Sequence, residues 1–429
     1  MSGGTENPLP PCGGGSGRGV ARVYPDCGSR PSAEGSARPP TPALHPQGGR
    51  ESGCAGMSAP LAPLPRWADV ALIPLINVGA AFVIAGFVVT AIGENPIEAI
   101  KLLLGGSLGD LESIGFTLYY ATSFIFTGLA VAICFHAGLF NIGVEGQAYI
   151  AGLGAALACL YLGFLPGYTL AFVAILAAAL FGAAFAAIPG YLQAKRDSHI
   201  VITTIMFNYI ASAIMGYLLV QVLRAPGQMN PETPKFPPGG IVPQFHELLA
   251  LVGVKWPVTP FNLSFLLALA AAFGVWLLIW RTRLGYEIRT VGANPTAAIY
   301  GGISPARITI VTTLLSGALA GGMAVNVIMG EEHRLILEYT AGFGFVGIAV
   351  ALMGRAHPVG IILAAILFGM LYQGGAELAF DKPKISRDMI VVIQGLVVLF
   401  AGALEHMFRR PLAIVLARFA PAPRVEQGA

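Results

Sequence analysis

Long stretches of this chain contain no Asp, Glu, Lys or Arg, and they limit its possible folds more than any other feature of the sequence. The stretch 146–194 lacks all four residue types and is long enough to cross a lipid bilayer twice. Charged residues make up 11% of the chain, whereas soluble domains contain roughly a quarter. Because a membrane-spanning helix needs about 20 apolar residues, the sequence predicts an all-α membrane protein.

The apolar stretches predict about ten transmembrane helices. The predicted spans are 68–93, 115–138, 148–165, 167–189, 200–223, 262–280, 308–330, 341–354, 359–376 and 389–404. Ten spans divide into two sets of five, and an odd number in each set makes the two sets face opposite sides of the membrane. We therefore expect two inverted five-helix halves, although the sequence itself reveals no repeat.

Basic residues indicate the orientation of these spans. If the N-terminus is cytoplasmic, most of the 25 Lys and Arg residues fall in cytoplasmic segments, as the positive-inside rule requires. Trp67, Trp256 and Trp280 then fall at the predicted membrane interfaces, which aromatic side chains favour. The sequence therefore predicts a multi-pass protein with both termini in the cytoplasm.

The two ends of the chain differ from its apolar middle. Residues 1–56 are rich in Gly, Pro, Ser and Arg and nearly free of aliphatic residues, a composition typical of disordered segments. Met57 precedes a short polar lead and the first span, so we expect either translation from Met57 or a disordered cytoplasmic tail. Residues 57–410 form the predicted transmembrane domain, and residues 411–429 form a predicted cytoplasmic tail.

Several protein classes lack support in the sequence. No Gly-Lys-Ser or Gly-Lys-Thr is present, so the chain has no Walker A loop and any ATP must be bound by another protein. No catalytic triad or His-Glu-x-x-His motif is visible, and we predict no catalytic residue and no metal site. The net charge of +3 is too small to indicate nucleic-acid binding. We therefore expect a protein that is not an enzyme and has no cofactor of its own.

The clearest local motif lies in the predicted cytoplasmic segment 282–307. Asn294 suits a helix cap, Pro295 suits the first helical turn, and Gly301 with Gly302 suits its end. This pattern predicts one or two helical turns. A short, rigid helix between two spans is suited to mechanical coupling with a partner, and an ordinary interfacial helix is the alternative.

Polar residues in apolar surroundings are candidate contacts for a solute. The candidates are Asn141, Glu145, Gln147, Asn208 and Asn326. An ionisable residue inside a membrane is a functional-site hypothesis, but the predicted topology places Glu145 near the cytoplasmic boundary. Local capping by Glu145 and interhelical hydrogen bonding by Asn208 and Asn326 are the alternatives.

Five motifs in order resemble the permease subunits of ABC importers. They are FNIGVEGQ (140–147), GYLQAKRDSHIVITTIMFNYIA (190–211), GYEIRTVGANPTAAIYGGI (285–303), SGALAGG (316–322) and GFGFVGIAVALMGRAHPVG (342–360). The chain is similar to the branched-chain amino acid and simple-sugar permease superfamily, and within it to the branch that includes nucleoside importers. The resemblance covers residues 57–407.

This resemblance implies a subunit that works with other proteins in the bacterial plasma (inner) membrane, in contact with lipid. Such permeases pair as homodimers or heterodimers, two cytoplasmic ATPase subunits that bind ATP and Mg drive them, and an extracytoplasmic binding protein delivers the solute. The residues that match the family's ATPase-coupling loop are Arg289, Gly292, Asn294, Pro295, Thr296 and Ala297. The expected solute is a nucleoside or a simple sugar. The alternative is a self-contained secondary transporter or channel for a small polar solute, with Glu145 or His136 as an ion or proton site.

Overall fold

The computed structural model describes residues 73–91, 93–251, 253–382, 389–392, 395–396 and 399. Within these ranges the protein is helical, and the β-structure consists of two isolated bridges. The prediction of an all-α protein is therefore confirmed. The predicted tails, 1–56 and 411–429, lie outside the described residues, as does most of the tenth predicted span.

The helices differ widely in length. They are α1 (Ile73–Ala91), α2 (Pro96–Leu108), α3 (Leu111–His136), α4 (Val144–Tyr161), α5 (Thr169–Arg196), α6 (Ile200–Tyr217), α7 (Phe245–Leu251), α8 (Ser264–Arg281), α9 (Arg283–Ala293), α10 (Pro295–Tyr300), α11 (Pro305–Ala324), α12 (Phe343–Met353) and α13 (Pro358–Asp381). Two of them, α6 and α11, continue directly into π-helical segments, Leu218–Val222 and Val325–Glu332. A short 3-10 helix occupies Pro238–Gly240.

Six of the described helices are long and apolar enough to cross a membrane. They are α3, α5, α6 with its π-helical segment, α8, α11 with its π-helical segment, and α13. Each of them corresponds to one of the ten predicted spans. The chain is therefore a multi-pass membrane protein, and the full count of ten spans stays a prediction.

Some predicted spans differ from the helices that form. The helix α12 has 11 residues, which is about 16 Å at 1.5 Å per residue. Since the hydrocarbon core of a bilayer is about 30 Å thick, this helix cannot cross it alone, although 341–354 was predicted as a span. The helix α5 continues through Pro189 to Arg196, because neighbouring helices let a membrane helix tolerate a proline that would end a helix in water.

The structure contains two helices, α2 and α9, that the sequence analysis did not predict. The helix α2 starts at Asn95, whose side chain accepts a hydrogen bond from the amide of Ile97 at 3.0 Å, and it packs against α3 and α13. Lys382 pairs with two carboxylates near this helix, with Nζ 3.1 Å from Glu98 and 3.6 Å from Glu94. With 13 residues, α2 is too short to give the hydropathy signal of a span.

Small residues let the central helices pack closely. The helices α5 and α11 meet at Gly182 and Gly317, where a methyl group added to either residue would overlap the carbonyl oxygen of the other. Such close approach is the usual function of small residues between membrane helices. The helix α3 contacts α11, α12 and α13 and is mostly buried, whereas few residues of α6 are buried.

Two non-helical segments lead into the bundle. His136, at the end of α3, contacts the carbonyl oxygen of Ala356 just after α12 with its Nε2 at 3.0 Å. Glu145 instead contacts the start of α12 at Gly342 and Gly344. Between these two residues the chain therefore passes from the end of α12 back to its start, so that 137–143 returns into the bundle before α4 begins. The second segment, 333–342, connects the π-helical end of α11 to the start of α12.

Candidate functional site

The short helix α10 has the cap that the sequence predicts. The side chain of Asn294 accepts a hydrogen bond from the amide of Ala297 at 3.0 Å, and Pro295 occupies the first helical position. Gly302 has a φ of +75°, in the left-handed region that favours glycine, and follows the end of the helix. The predicted helix of one or two turns is confirmed.

Most of α10 is available for contact with another protein. Ala298 is buried, whereas Pro295, Thr296 and Ala297 are exposed. The exposed fraction is 60% for Ile299 and 90% for Tyr300. An exposed helix that carries a large aromatic side chain can supply a contact surface.

The helix α9 connects α10 firmly to the bundle. Gly292 lies against the turn that follows α3, where a methyl group on it would overlap the carbonyl oxygen of His136. A methyl group on Gly138 would in turn lie 3.3 Å from the backbone of Gly292. Arg289, one turn before Gly292, is exposed. The coupling residues named above therefore fall on an exposed α10 and on an α9 that touches the start of segment 137–143.

Three of the candidate pathway residues make hydrogen bonds around segment 137–143. Asn141 donates from Nδ2 to Gln147 Oε1 at 3.2 Å and to Ser316 Oγ at 3.0 Å. Ser316 donates in turn to the carbonyl oxygen of Ala130 at 2.7 Å. Asn208 accepts from the amide of Gly146 at 3.0 Å and donates to the carbonyl oxygen of Ile142 at 3.1 Å. These bonds hold segment 137–143 against α6 and α11.

Glu145 contacts a different helix. Its carboxylate accepts hydrogen bonds from the amides of Gly342 at 2.9 Å and Gly344 at 2.7 Å. These amides belong to the start of α12, where a helix has unpaired N–H groups and a partial positive charge. The geometry is that of a helix cap supplied by another helix.

Asn326 lies in a separate polar group within the π-helical segment of α11. It donates to Ser123 Oγ at 2.8 Å and to the carbonyl oxygen of Tyr119 at 3.1 Å. Its Oδ1 accepts from Asn262 at 3.0 Å and from Ser264 at 2.6 Å.

The five polar residues do not form one site in this structure. Four of them lie around segment 137–143, and Asn326 lies in the other group. The residues that complete these groups were not named as candidate solute contacts, since a single Ser or Asn beside an apolar stretch gives little signal; they are Ser123, Asn262, Ser264 and Ser316. Hydrogen bonds occupy both donors and both acceptor positions of Asn141 and of Asn326, so a solute could bind these two side chains only by displacing some of those bonds. Their role as a solute pathway stays a prediction.

Among the described residues, no group of three or more His, Cys, Asp or Glu residues could hold a metal ion. Cys134 and Cys159 are buried free thiols.

Comparison with known proteins identifies the family. Residues 113–402 match the model of the branched-chain amino acid transport system / permease component family. The chain is 31% identical to the glucose ABC transporter permease protein TsgB13 of Haloferax volcanii, over 80% of this chain and 90% of that protein. It is 30% identical to the nucleoside ABC transporter permease protein NupB of Lactococcus lactis, over 80% of this chain and 94% of that protein.

A second nucleoside ABC transporter permease protein of Lactococcus lactis, NupC, is also 30% identical, over 59% of this chain and 78% of that protein. The resemblance stated from the five motifs is confirmed. The chain belongs to the branched-chain amino acid transport system permease component family, and it is a membrane transport subunit whose ATPase is a separate subunit.

Proposed function

We propose that this permease subunit imports a nucleoside or a simple sugar in an ATP-driven complex. NupB of Lactococcus lactis is named for nucleosides and TsgB13 of Haloferax volcanii for glucose, and this chain matches at least 90% of the length of each. Solutes of both kinds are polar and need a protein route across the bilayer.

The proposal rests on one observation: α10 is exposed, and the adjoining α9 packs through Gly292 against the turn that follows α3. We assign to α10 and its flanking residues the contact with a cytoplasmic ATPase subunit, which binds the ATP and Mg that this chain does not handle. Asn294 and Pro295 fix the start of α10, while Thr296 and Ala297 form its exposed surface. Gly292 transmits displacement to the bundle, and Arg289 supplies an exposed positive charge beside it.

Two further partners belong to this proposal. One is a second permease subunit, identical or different, and the presence of two similar nucleoside permease proteins in Lactococcus lactis supports it. The other is an extracytoplasmic binding protein that delivers the solute to the face formed by segments 224–262 and 331–342.

The proposed orientation places both termini in the cytoplasm of a bacterium, with the protein in its plasma (inner) membrane. Contacts between the connecting segments support this orientation, because segments expected on the same side of the membrane contact each other. Arg334 and Glu232, from two segments expected outside, form an ion pair with 2.8 Å between Nη1 and Oε1. His136 and Ala356, from two segments expected inside, are in contact as well.

The packing of the helices supports two inverted halves. The helices α3, α4 and α5 correspond in order to α11, α12 and α13. In each set, a non-helical segment separates the first helix from the second. The third helix of each set packs against the first helix of the other set: α5 packs on α11, and α13 packs on α3. A relation of this kind is expected of inverted-repeat transporters.

The experiment that tests the coupling assignment is co-purification with the cognate ATPase subunit. The double variant Thr296→Arg with Tyr300→Ala removes the aromatic anchor and adds a bulky charge on α10. It is expected to lower ATPase recovery about tenfold, as the loss of a central contact of about 1.4 kcal/mol would do.

The matched control is Tyr161→Ala, which removes a tyrosine with a 69% exposed fraction at the end of α4. This control should leave ATPase recovery unchanged. Equal recovery with the α10 variant and with the wild-type chain would show that the ATPase binds elsewhere.

A further inference from the structure

We propose that Glu145 is a positioning residue for transport, through which displacement of α9 and α10 reaches the opposite end of the bundle. The inference rests on the proposed function, since it concerns how an ATPase acting on α10 changes the far face of this chain. It is carried by three consecutive sets of contacts among the described residues.

The first contact joins α9 to segment 137–143. Gly292 on α9 touches the backbone of His136 and Gly138 with no side chain between them. A backbone contact of this kind leaves little room for adjustment, because packed interiors do not deform continuously. A shift of α9 therefore has to move the start of segment 137–143 or break this contact.

The second contact joins that segment to α12. Segment 137–143 is held to the start of α4 by Asn141, which accepts a hydrogen bond from the amide of Gly143 at 2.9 Å and bonds Gln147. Directly after it, Glu145 reaches the amides of Gly342 and Gly344. A shift of segment 137–143 thus pulls on the start of α12 through a charge-assisted pair of hydrogen bonds.

The third contact joins the start of α12 to the opposite face. Segment 333–342 precedes α12, and Leu335 exchanges backbone and side-chain hydrogen bonds with Thr233, each at 3.0 Å. The ion pair between Arg334 and Glu232 lies beside them. The amide of Glu338 donates to the hydroxyl of Tyr149 at 2.7 Å, which holds the same segment on α4.

The choice of a carboxylate at position 145 is informative. A neutral Ser, Thr or Asn satisfies the amides at a helix start, so capping alone does not require a charge. Burying a charge costs free energy of solvation, and Glu145 is largely covered by the bundle. Hydrogen bonds to a carboxylate are stronger than hydrogen bonds between neutral groups. The stronger bonds would keep Glu145 attached to α12 when segment 137–143 moves repeatedly.

The test uses the permease assembled with its ATPase subunits and binding protein in lipid vesicles, with uptake of labelled solute and ATP hydrolysis measured on the same sample. Glu145→Gln keeps the shape of the side chain but removes its charge. We expect uptake to fall about tenfold, as a loss of about 1.4 kcal/mol would produce, while ATP hydrolysis stays within about twofold of the wild-type rate. Glu112→Gln is the matched control, because it neutralises an exposed carboxylate in the first turn of α3, which takes no part in these contacts, and should change neither rate.

A second variant and a second signal complete the test. Glu145→Asp keeps the charge on a shorter side chain. Its ratio of uptake to hydrolysis should therefore fall below that of the wild-type chain, but less than the ratio of Glu145→Gln. If the Gln variant does not assemble, the ratio measured for Glu145→Asp tests the proposal. A fluorophore on Met229→Cys, in a chain with Cys12, Cys27 and Cys54 replaced by serine, reports on the far face, since Met229 has a 96% exposed fraction. Its ATP-dependent signal should disappear in Glu145→Gln.

The outcomes separate this inference from the function on which it rests. If uptake and hydrolysis fall in the same proportion, or if Glu145→Gln keeps normal uptake and the normal fluorescence signal, Glu145 does not transmit the movement. If the wild-type complex shows no ATP-dependent uptake, the proposed function itself fails.

Discussion

Gly182 and Gly317 show at the scale of single residues how this bundle is held together. Where they meet, α5 and α11 approach until the backbone of one helix touches that of the other. In a membrane the lipid is as apolar as a leucine side chain, so helices associate through close packing more than through exclusion of water. The stability of the pair of helices therefore depends on the absence of side chains at these two positions.

Gly317→Ala tests this dependence. The added methyl group would overlap the carbonyl oxygen of Gly182, and we expect the free energy of unfolding to fall by roughly 1–3 kcal/mol, the usual cost of overpacking. Thermal unfolding in detergent, followed by circular dichroism, measures it. Gly274→Ala on α8 is the control, because nothing lies within 4 Å of the added methyl group; equal melting of the two variants would contradict the account.

Individual polar residues could be recognised in the sequence, but their partners could not. Asn141, Glu145, Gln147, Asn208 and Asn326 stand out because each interrupts apolar surroundings. The amide of Gly342 that Glu145 contacts is 197 positions away in the chain, and no local pattern connects such distant residues. The alternative stated for Glu145, local capping, identified the kind of contact but not the helix that is capped.

At the scale of elements, the starts of some helices depend on local signals that the sequence carries. Asn294 and Pro295 allowed α10 to be predicted, because a cap and a first-turn proline act on the nearest residues alone. The return of segment 137–143 could not be predicted in the same way, since a short stretch between two predicted spans has the sequence of an ordinary connecting loop. The short α12 was likewise read as a span because hydropathy reports composition and not helix length.

Asp110 provides a test at this scale. Its carboxylate caps α3 by accepting a hydrogen bond from the amide of Ser113 at 2.7 Å, and this bond lowers the pKa of Asp110 below its usual value of 3.8. Because the pKa is lower in the folded state, the stabilising effect is present above pH 3.8 and is lost as the pH falls through the folded-state pKa.

We therefore expect Asp110→Ala to lower the melting temperature at neutral pH, and the difference from the wild-type chain to shrink below pH 3.8. Melting curves in detergent at several pH values measure this difference. Glu112→Ala serves as the control, since Glu112 lies in the same turn but is not the cap. A difference for Asp110→Ala that does not depend on pH would contradict the role of its charge.

At the scale of the whole molecule, the scarcity of charge in long stretches was sufficient to predict a multi-pass helical protein, because the bilayer allows few other solutions. The sequence motifs were sufficient for the family. The arrangement of α3, α5, α11 and α13 around each other was not predictable, since it depends on contacts between distant glycines. The central claim about the assembled molecule is that this chain opens and closes under the action of a separate ATPase.

Uptake of labelled nucleoside or sugar into vesicles tests that claim most directly. The permease should be reconstituted alone and, in parallel, with its ATPase subunits, its binding protein and ATP. The account predicts uptake in the complete system and none with the permease alone, whatever ion gradient is applied. Uptake by the chain alone, driven by an ion gradient, would contradict it.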